Sequence, residues 1–316
     1  MTVAAVPACA IDQALPVAAF VSYAKEPLPD LFLGHLAIYI TSTARPRPPC
    51  SLFLVGEGTI IDFSAQSFAA AVKEPIVGLG FTYVDDRNGA SEPSLRFWFH
   101  SSVEPDTVRA RAAALVDHAL PNQRSATSSF MLMASDEIEE AKPKWPFKIY
   151  ALPRDALPVD APHVFGSPWL DDATGEMLVM DHAIPNDAPA IVAGSSMGSS
   201  VPYILNLIAH PLFSTFLHVV RVVSTGQPVA WCVVHTSFVL GLVFTEPAFR
   251  RRGLGRFAVA AAMQASSAYV ASCDEGIYGL QPHCFITDAN LASQAMFGAL
   301  GFVPAVGGSN RWLGSA

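Results

Sequence analysis

Four arginines and two glycines lie at the predicted start of a long helix, where together they could bind an anion. Residues 160–316 contain no lysine and six arginines, four of which fall within seven residues: Arg250, Arg251, Arg252 and Arg256. Gly253 and Gly255 lie between them. The first turn of a helix carries unpaired N–H groups and the positive end of the dipole, so cations there are unfavourable unless an anion balances them. The segment predicts phosphate binding, with a solvated basic turn as the alternative.

Two common phosphate-binding motifs do not account for this segment. A P-loop requires Gly-Lys-Ser/Thr, a tripeptide that the chain lacks. Gly253-x-Gly255-x-x-Ala258 fits a Rossmann pattern, with Asp274 about 20 residues further on. In a Rossmann unit, however, the glycines follow their strand almost at once, whereas eight residues, Thr245 to Arg252, intervene here. A Rossmann-type, nucleotide-dependent oxidoreductase is therefore the weakest hypothesis.

The elements around this segment can be read from periodicity and turn signals. Apolar residues recur at helical spacing from Val201 to Phe216, and Pro211 is expected to break that helix. Three strands joined by short turns then predict an antiparallel meander at 218–223, 229–235 and 238–245.

The rest of this half alternates helices and strands. An alanine-rich helix is predicted over 256–272, a strand over 284–287 and a helix over 291–300. Asp288 or Asn290 could cap the last helix and Gly301 could stop it, and a final strand follows.

The N-terminal half shows strands but no phosphate loop. Its predicted elements are strands at 31–40, 51–55, 95–99 and FMLMA (130–134), and a helix at 106–120. Residues 152–175 carry four prolines and read as a connection between domains. We therefore predict two domains, 1–170 and 171–316.

Composition excludes several classes of protein. An apolar fraction of 51% with 15% charged residues excludes a disordered chain, and a net charge of −8 argues against nucleic-acid binding. The five cysteines contain no CxxC pair, so neither a disulfide framework nor a metal site is predicted. No secretory or mitochondrial leader is recognisable, and Gly and Pro interrupt both charge-free stretches, 188–220 and 222–245. A cytoplasmic protein without membrane spans is expected.

Two motifs resemble the GNAT superfamily of acyltransferases. A strand, a loop with Pro247 and Phe249, and Arg250-x-x-Gly253-x-Gly255 before a helix resemble the family's acyl-CoA pyrophosphate loop. The segment from Asn290 to Phe302 resembles its second signature, N…S…Y…LGF, with every spacing kept. Both motifs occur in the family's order, with fitting strands between them.

A narrower similarity, over about residues 180–302, is to the glycine N-acyltransferase-like branch. It rests on Asp181-His182-Ala183, the helix from Tyr203 to Phe216, Thr225 to Trp231, and Phe244 to Arg250. The resemblance implies an α/β fold of two tandem GNAT-like halves, with a mixed, mainly antiparallel sheet flanked by helices. The N-terminal half would be a degenerate copy of the fold.

The resemblance also implies roles for particular residues. The backbone amides from Arg251 through Leu254 to Arg256 would hold the CoA pyrophosphate, with the arginine side chains adding charge. The pantetheine arm would pair with the main chain of Leu242, Val243 and Phe244, where a backbone N–H would polarise the thioester carbonyl. The thioester would lie where the strands at 238–245 and 284–287 splay apart. The remaining expected cofactor contacts are Asn290, Ser293 and Phe297, and Phe297 stands where the family often has a tyrosine acid.

The sequence offers three candidates for the general base. The glutamate of the glycine N-acyltransferase-like branch is missing from the strand FVLGLVF. Candidates are His235, Glu246 and His283, each of which could instead pack or, for Glu246, pair with an arginine. We therefore expect an acyl-CoA- or acetyl-CoA-dependent N-acyltransferase acting on an amine, and the resemblance favours a small, amino-acid-like acceptor. A non-catalytic acyl-CoA-binding or sensing protein is the alternative, and the oligomeric state is open.

Overall fold

The computed structural model describes the C-terminal half almost continuously and the N-terminal half through its strands. The described residues are 51–56, 60–62, 76–85, 92–99, 104, 107, 110–111, 129–134, 147–153, 163–195, 199–236, 238–272 and 281–314. The strands are β1 (Ser51–Gly56), β2 (Ile60–Asp62), β3 (Ile76–Asp85), β4 (Glu92–Phe99), β5 (Ser129–Ala134), β6 (Phe147–Ala151), β7 (Trp169–Asp171), β8 (Glu176–His182), β9 (His218–Val222), β10 (Pro228–Val234), β11 (Val239–Thr245), β12 (His283–Thr287) and β13 (Val303–Gly314). The helices with bounds are α1 (Ala188–Ala193), α2 (Val201–Ala209), α3 (Leu254–Ser272) and α4 (Leu291–Ala299).

The thirteen strands of the described residues form one mixed sheet, in the order β2-β1-β3-β4-β5-β13-β6-β12-β11-β10-β9-β8-β7. All neighbours are antiparallel except β4 with β5 and β11 with β12. The two halves repeat one pattern, because a meander (β1-β3-β4 or β9-β10-β11) is followed by a parallel strand (β5 or β12). The predicted fold class, an α/β fold of two tandem halves with a mixed, mainly antiparallel sheet flanked by helices, is confirmed.

The halves exchange their last strands. Strand β6, which precedes the predicted domain boundary at residue 170, pairs with β12 of the C-terminal half. Strand β13, at the end of the chain, pairs with β5 of the N-terminal half. Strands β6 and β13 also pair with each other and join the halves into a continuous sheet. The boundary at 170 stays a prediction, and the sheet crosses it.

Most element predictions agree with the structure. The meander is confirmed, and α2 ends two residues before Pro211, followed by a 3-10 turn at Phe213–Phe216. Helix α3 begins two residues earlier than predicted. The interpretation of 152–175 as a connection is wrong at its end, because β7 pairs there with β8. The strand at 31–40 lies outside the described residues, as does the helix at 106–120 except for residues 107, 110 and 111, which are helical.

A core of apolar side chains in the C-terminal half holds the sheet against its helices. Helix α3 packs on β9, β10 and β11, and its small buried residues, such as Ala258 and Ala262, let it approach the sheet closely. Among the residues whose side chains the structure describes, the largest fully buried ones are Trp231, Tyr203, Phe213 and Phe216. No helix of the described part of the chain is long and apolar enough to cross a membrane.

Two buried histidines are expected to make folding sensitive to acid. Burial lowers the pKa of both His218 and His283 to about 4. The unfolded chain therefore binds more protons than the folded one as pH falls from about 6.5 to about 4, and the free energy of unfolding decreases over that window. Each histidine contributes a slope of up to about 1.4 kcal/mol per pH unit. Urea unfolding at pH 7, 6 and 5 measures this slope. His283→Asn should remove about half of it, and an unchanged slope in that variant would contradict the assignment.

Candidate active site

Strands β11 and β12 are paired at one end and separate at the other. Their parallel pairing is limited to Val239 with His283 and Leu240 with Cys284. Strand β12 remains paired with β6 along its other edge up to Thr287. We call the gap between 241–245 of β11 and 285–287 of β12 the wedge. The predicted splaying of these two strands is confirmed.

A β-bulge in β11 begins where the wedge begins. Opposite Trp231 to Val233 of β10, strand β11 runs from Phe244 to Gly241, which is one residue more. Leu242, inside this stretch, has φ 49°. A bulky residue in the left-handed region is strained, and a bulge bends its strand locally. The bulge therefore accounts for the divergence of β11 from β12 after Leu240.

The start of helix α3 lies directly against the end of β11. A Cβ atom added to Gly255 would lie 2.9 Å from Thr245 Oγ1 and 3.9 Å from Val243 Cγ1. Only a glycine allows this approach. Phe244 points to the opposite face, where it stacks on Trp231 with ring centroids 4.9 Å apart, and alternation of this kind is normal for a strand. The wedge thus has α3 at one face and Phe244 at the other.

The loop before α3 is open and positively charged. Gly253 has φ 75°, and a Cβ atom there would meet nothing within 4 Å. The first helical bond runs from Phe257 N to Gly253 O at 2.8 Å, so the preceding N–H groups have no intrahelical acceptor. Arg251 and Arg256 are exposed, and no acidic residue occupies the first turn of α3. Gly253 thus leaves the backbone of the loop open to an anion, whereas Gly255 lets α3 pack closely against β11.

Two of the four arginines make contacts within the protein. Arg250 Nε donates to Thr245 O at 2.9 Å, and its guanidinium lies 5.7 Å from the centre of the Phe244 ring. Arg252 forms an ion pair with Asp171 of β7. Among the ion pairs of the described residues, the acid that pairs with this loop is therefore Asp171 and not Glu246.

His235 is the candidate base that the fold brings to the wedge. It closes the turn between β10 and β11, because its N–H donates to Val239 O at 2.9 Å and its carbonyl accepts from Phe238 N at 2.8 Å. A Cβ atom added to Gly241, the first residue of the wedge, would lie 2.7 Å from His235 Nε2. The imidazole therefore occupies the space that a larger residue at position 241 would fill.

Tyr203 of α2 fixes the His235 ring and is a site residue that sequence reasoning missed. Its hydroxyl lies 2.8 Å from His235 Nδ1, and the two rings are inclined by 18°. Tyr203 is fully buried. Ser200 caps α2 by accepting a hydrogen bond from Tyr203 N at 3.3 Å, which sets the position of this first turn. In the sequence, Tyr203 was only part of an amphipathic helix that resembles the family, with no role of its own.

The other two candidate bases differ in their position relative to the wedge. His283 is at the paired end of β12 and fully buried, with Nδ1 2.9 Å from Gln281 O and no partner for Nε2. Glu246 follows β11 on the side of the helix start, and its N–H donates to Val229 O at 2.8 Å. The structure does not bring His283 to the wedge.

The second sequence motif borders the wedge from β12. Asn290 N donates to Thr287 O at 2.9 Å, and the Asn290 side chain caps α4 by accepting from Ser293 N at 3.1 Å. Phe297 lies in the core, where it packs edge-to-face against Phe302 at 5.0 Å. The expected cofactor contact of Phe297 does not agree with this buried position. No cluster of His, Cys, Asp and Glu in the described part of the chain could hold a metal ion.

Comparison with known proteins agrees with this geometry. Residues 219–313 match the family described as FR47-like protein, whereas no curated protein matches the chain. A Drosophila protein of known structure is 15% identical, with a TM-score of 0.51 over 75% of this chain and 74% of that chain. The family match lies within the C-terminal half, and the Drosophila structure shows a similar fold.

Two further solved structures carry GNAT names. A tandem GNAT protein from the clavulanic acid biosynthesis pathway is 14% identical, with a TM-score of 0.49 over 98% of this chain and 95% of that chain. A GCN5-related N-acetyltransferase from Kribbella flavida is 16% identical, with a TM-score of 0.44 over 76% and 87%. The glycine N-acyltransferase-like branch of GNAT is not confirmed and stays a prediction.

Proposed function

We propose that the protein is an acyl-CoA-dependent N-acyltransferase, which transfers an acyl group directly from CoA to an amine. The observation that carries the proposal is the bulged β11, which diverges from β12 directly beside the open N-terminus of α3. The proposed anion site at the start of α3, the unpaired edge of β11 at 241–245 and the imidazole of His235 therefore lie along one strand. The resemblance of the segments 245–256 and 290–302 to the GNAT motifs supports the same reaction class.

The residues along this path fit acyl-CoA as co-substrate. The N–H groups from Arg251 to Arg256 would bind the pyrophosphate at the start of α3, and the exposed side chains of Arg251 and Arg256 would add charge. The main chain of Leu242 to Phe244 would pair with the pantetheine arm. Asn290 and Ser293 form the opposite border of the wedge. Acyl-CoA would supply the activated thioester carbonyl.

His235 would act as the general base of the transfer. The ring tautomer in which Nδ1–H donates to the Tyr203 hydroxyl leaves the lone pair on Nε2, beside the wedge. The amine nitrogen forms a bond to the thioester carbonyl carbon, its proton passes to His235 Nε2, and the C–S bond breaks. The thiolate can leave without a strong acid, because the pKa of a thiol is about 8.5. A backbone N–H between Leu242 and Thr245 would stabilise the oxyanion.

The two faces of β11 give the reactants separate approaches. The start of α3 lies on the face of Val243 and Thr245, whereas Tyr203, His235 and Phe244 lie on the face toward α1 and α2. The phosphates would enter from the first face and the amine from the second. A small, amino-acid-like acceptor is proposed from the branch resemblance.

The experiment that tests this function follows free thiol while the protein is incubated with acetyl-CoA and a panel of amines. Thiol release that depends on both the protein and an amine supports the transferase. CoA binding without turnover on any amine would favour the non-catalytic acyl-CoA-binding protein. No CoA binding, with NAD raising the melting temperature, would favour the oxidoreductase.

A further inference from the structure

Strand β7 contacts the loop before α3 although three strands, β10, β9 and β8, lie between it and β11 in the sheet. Its last residue, Asp171, forms an ion pair with Arg252 across 81 residues of sequence. The two side chains are 10% and 20% exposed, so the pair is largely shielded from water. Shielding strengthens a hydrogen-bonded ion pair relative to one on the surface.

Asp171 is held rigidly by the turn that follows β7. Its carbonyl accepts from Thr174 N at 3.1 Å and from Gly175 N at 2.8 Å. The Thr174 hydroxyl also donates to Oδ2 of the carboxylate. Gly175 has φ 72°, a conformation that favours glycine and closes the hairpin to β8. Both the backbone and the carboxylate of Asp171 are therefore fixed without help from Arg252.

Arg252 connects Asp171 to the loop before α3. Its Nη2 donates to Ala248 O at 2.6 Å, and its guanidinium lies 5.2 Å from the centre of the Phe249 ring. Both residues belong to the 3-10 turn Pro247–Phe249, which directly precedes the anion-binding segment. The guanidinium of Arg252 is thus engaged by Asp171 and the 3-10 turn, whereas Arg251 and Arg256 are exposed.

A second contact from β7 fixes the first turn of α3. Trp169 stacks on His163 with centroids 4.2 Å apart. Both rings pack edge-on against Phe257, at 5.5 Å and 5.3 Å. Phe257 makes the first backbone bond of α3, to Gly253 O. Strand β7 thus holds the loop on both sides of Gly253.

We propose that Asp171 is a positioning residue for the CoA site, and that Arg252 supports the loop rather than binding phosphate. The inference rests on the proposed function. The loop contains two residues in the left-handed region, Arg251 at φ 65° and Gly253 at φ 75°. Holding the loop in that conformation before CoA arrives avoids the entropic cost of ordering it on binding. Asp171, through Arg252, keeps the N–H groups of the loop aligned.

The sign of the expected effect separates this role from simple electrostatics. Removal of a carboxylate near a phosphate site should strengthen CoA binding if charge alone matters. If Asp171 positions the loop, removal of its carboxylate should instead weaken CoA binding. We expect Asp171→Asn to weaken CoA binding about 5- to 10-fold, with kcat at saturating acyl-CoA within about 2-fold of the wild type.

A double-mutant cycle tests the coupling. The Kd for CoA is measured by calorimetry for wild type, Asp171→Asn, Arg252→Met and the double variant. We expect the same loss of CoA affinity in both single variants and in the double variant, because the two residues act through one ion pair. Tighter CoA binding in Asp171→Asn would overturn the proposal. So would a much larger loss of CoA affinity in Arg252→Met that adds to the loss in Asp171→Asn, because Arg252 would then bind phosphate. The control, Asp172→Asn, makes the same charge change at an exposed neighbour and should leave Kd unchanged.

Amide hydrogen exchange without CoA separates this inference from the proposed function. Residues 246–256 should exchange faster in Asp171→Asn and Arg252→Met than in the wild type, because the loop is no longer held. A wild-type protein that does not bind CoA would refute the transferase, whereas equal exchange in all variants would refute the role of Asp171. Should Asp171→Asn not fold, Thr174→Val removes only the hydroxyl that holds the carboxylate and should weaken CoA binding about 2-fold.

Discussion

Replacing His235 with glutamine is expected to lower kcat by about 100-fold to 10,000-fold, the range typical for loss of a general base. Glutamine can still form a hydrogen bond with the Tyr203 hydroxyl, but it cannot accept a proton from the amine. The Kd for CoA should stay within about 2-fold, because His235 lies on the face of β11 opposite the start of α3. Stopped-flow detection of free thiol, together with calorimetry for CoA, measures both quantities.

Three further variants decide between the candidate bases. Tyr203→Phe keeps the ring but removes the hydroxyl that lies 2.8 Å from His235 Nδ1, and should lower kcat by a smaller factor than His235→Gln. His283→Asn, at the closed end of β12, is the matched control and should leave kcat unchanged. If Glu246→Gln lowers kcat more than His235→Gln does, Glu246 is the base and our assignment is wrong.

The elements of the C-terminal half were predictable because their signals are local. Short turns between apolar runs indicate a meander, and Pro211 and Gly301 indicate where helices stop. The exchange of β6 and β13 had no such signal. It depends on pairing between Phe147–Ala151 and His283–Thr287, more than 130 residues apart in sequence. Hydrophobic periodicity indicates that a segment is a strand and which of its faces is apolar. It does not indicate which strand pairs with it.

The residue types of the site could be predicted from the sequence, but the separate role of each residue could not. The arginines and glycines at 250–256 indicate an anion site by their types and spacing alone. Their division of roles depends on distant neighbours: Arg252 faces Asp171, whereas Gly255 faces Thr245. Tyr203 and Asp171 were missed because one lay in an ordinary amphipathic helix and the other in a segment interpreted as a connection.

The second large effect is expected at Gly253, where a carboxylate would enter the proposed phosphate site. Gly253→Asp should weaken CoA binding about 10- to 100-fold, since two like charges about 4 Å apart repel by about 1–4 kcal/mol at the surface of a protein. The position can accommodate a side chain, because a Cβ atom there meets nothing within 4 Å. Calorimetry with CoA measures the loss, which should shrink as salt screens the charge.

Gly253→Asn is the matched control for this change. The backbone at position 253 has φ 75°, and asparagine and aspartate are the side chains that best tolerate the left-handed region, so both variants carry a similar conformational cost. Only the charge differs between them. Gly253→Asn should bind CoA at least 10-fold more tightly than Gly253→Asp. Equal affinity in the two variants would mean that no phosphate lies near Gly253, and the placement of CoA at the start of α3 would have to be abandoned.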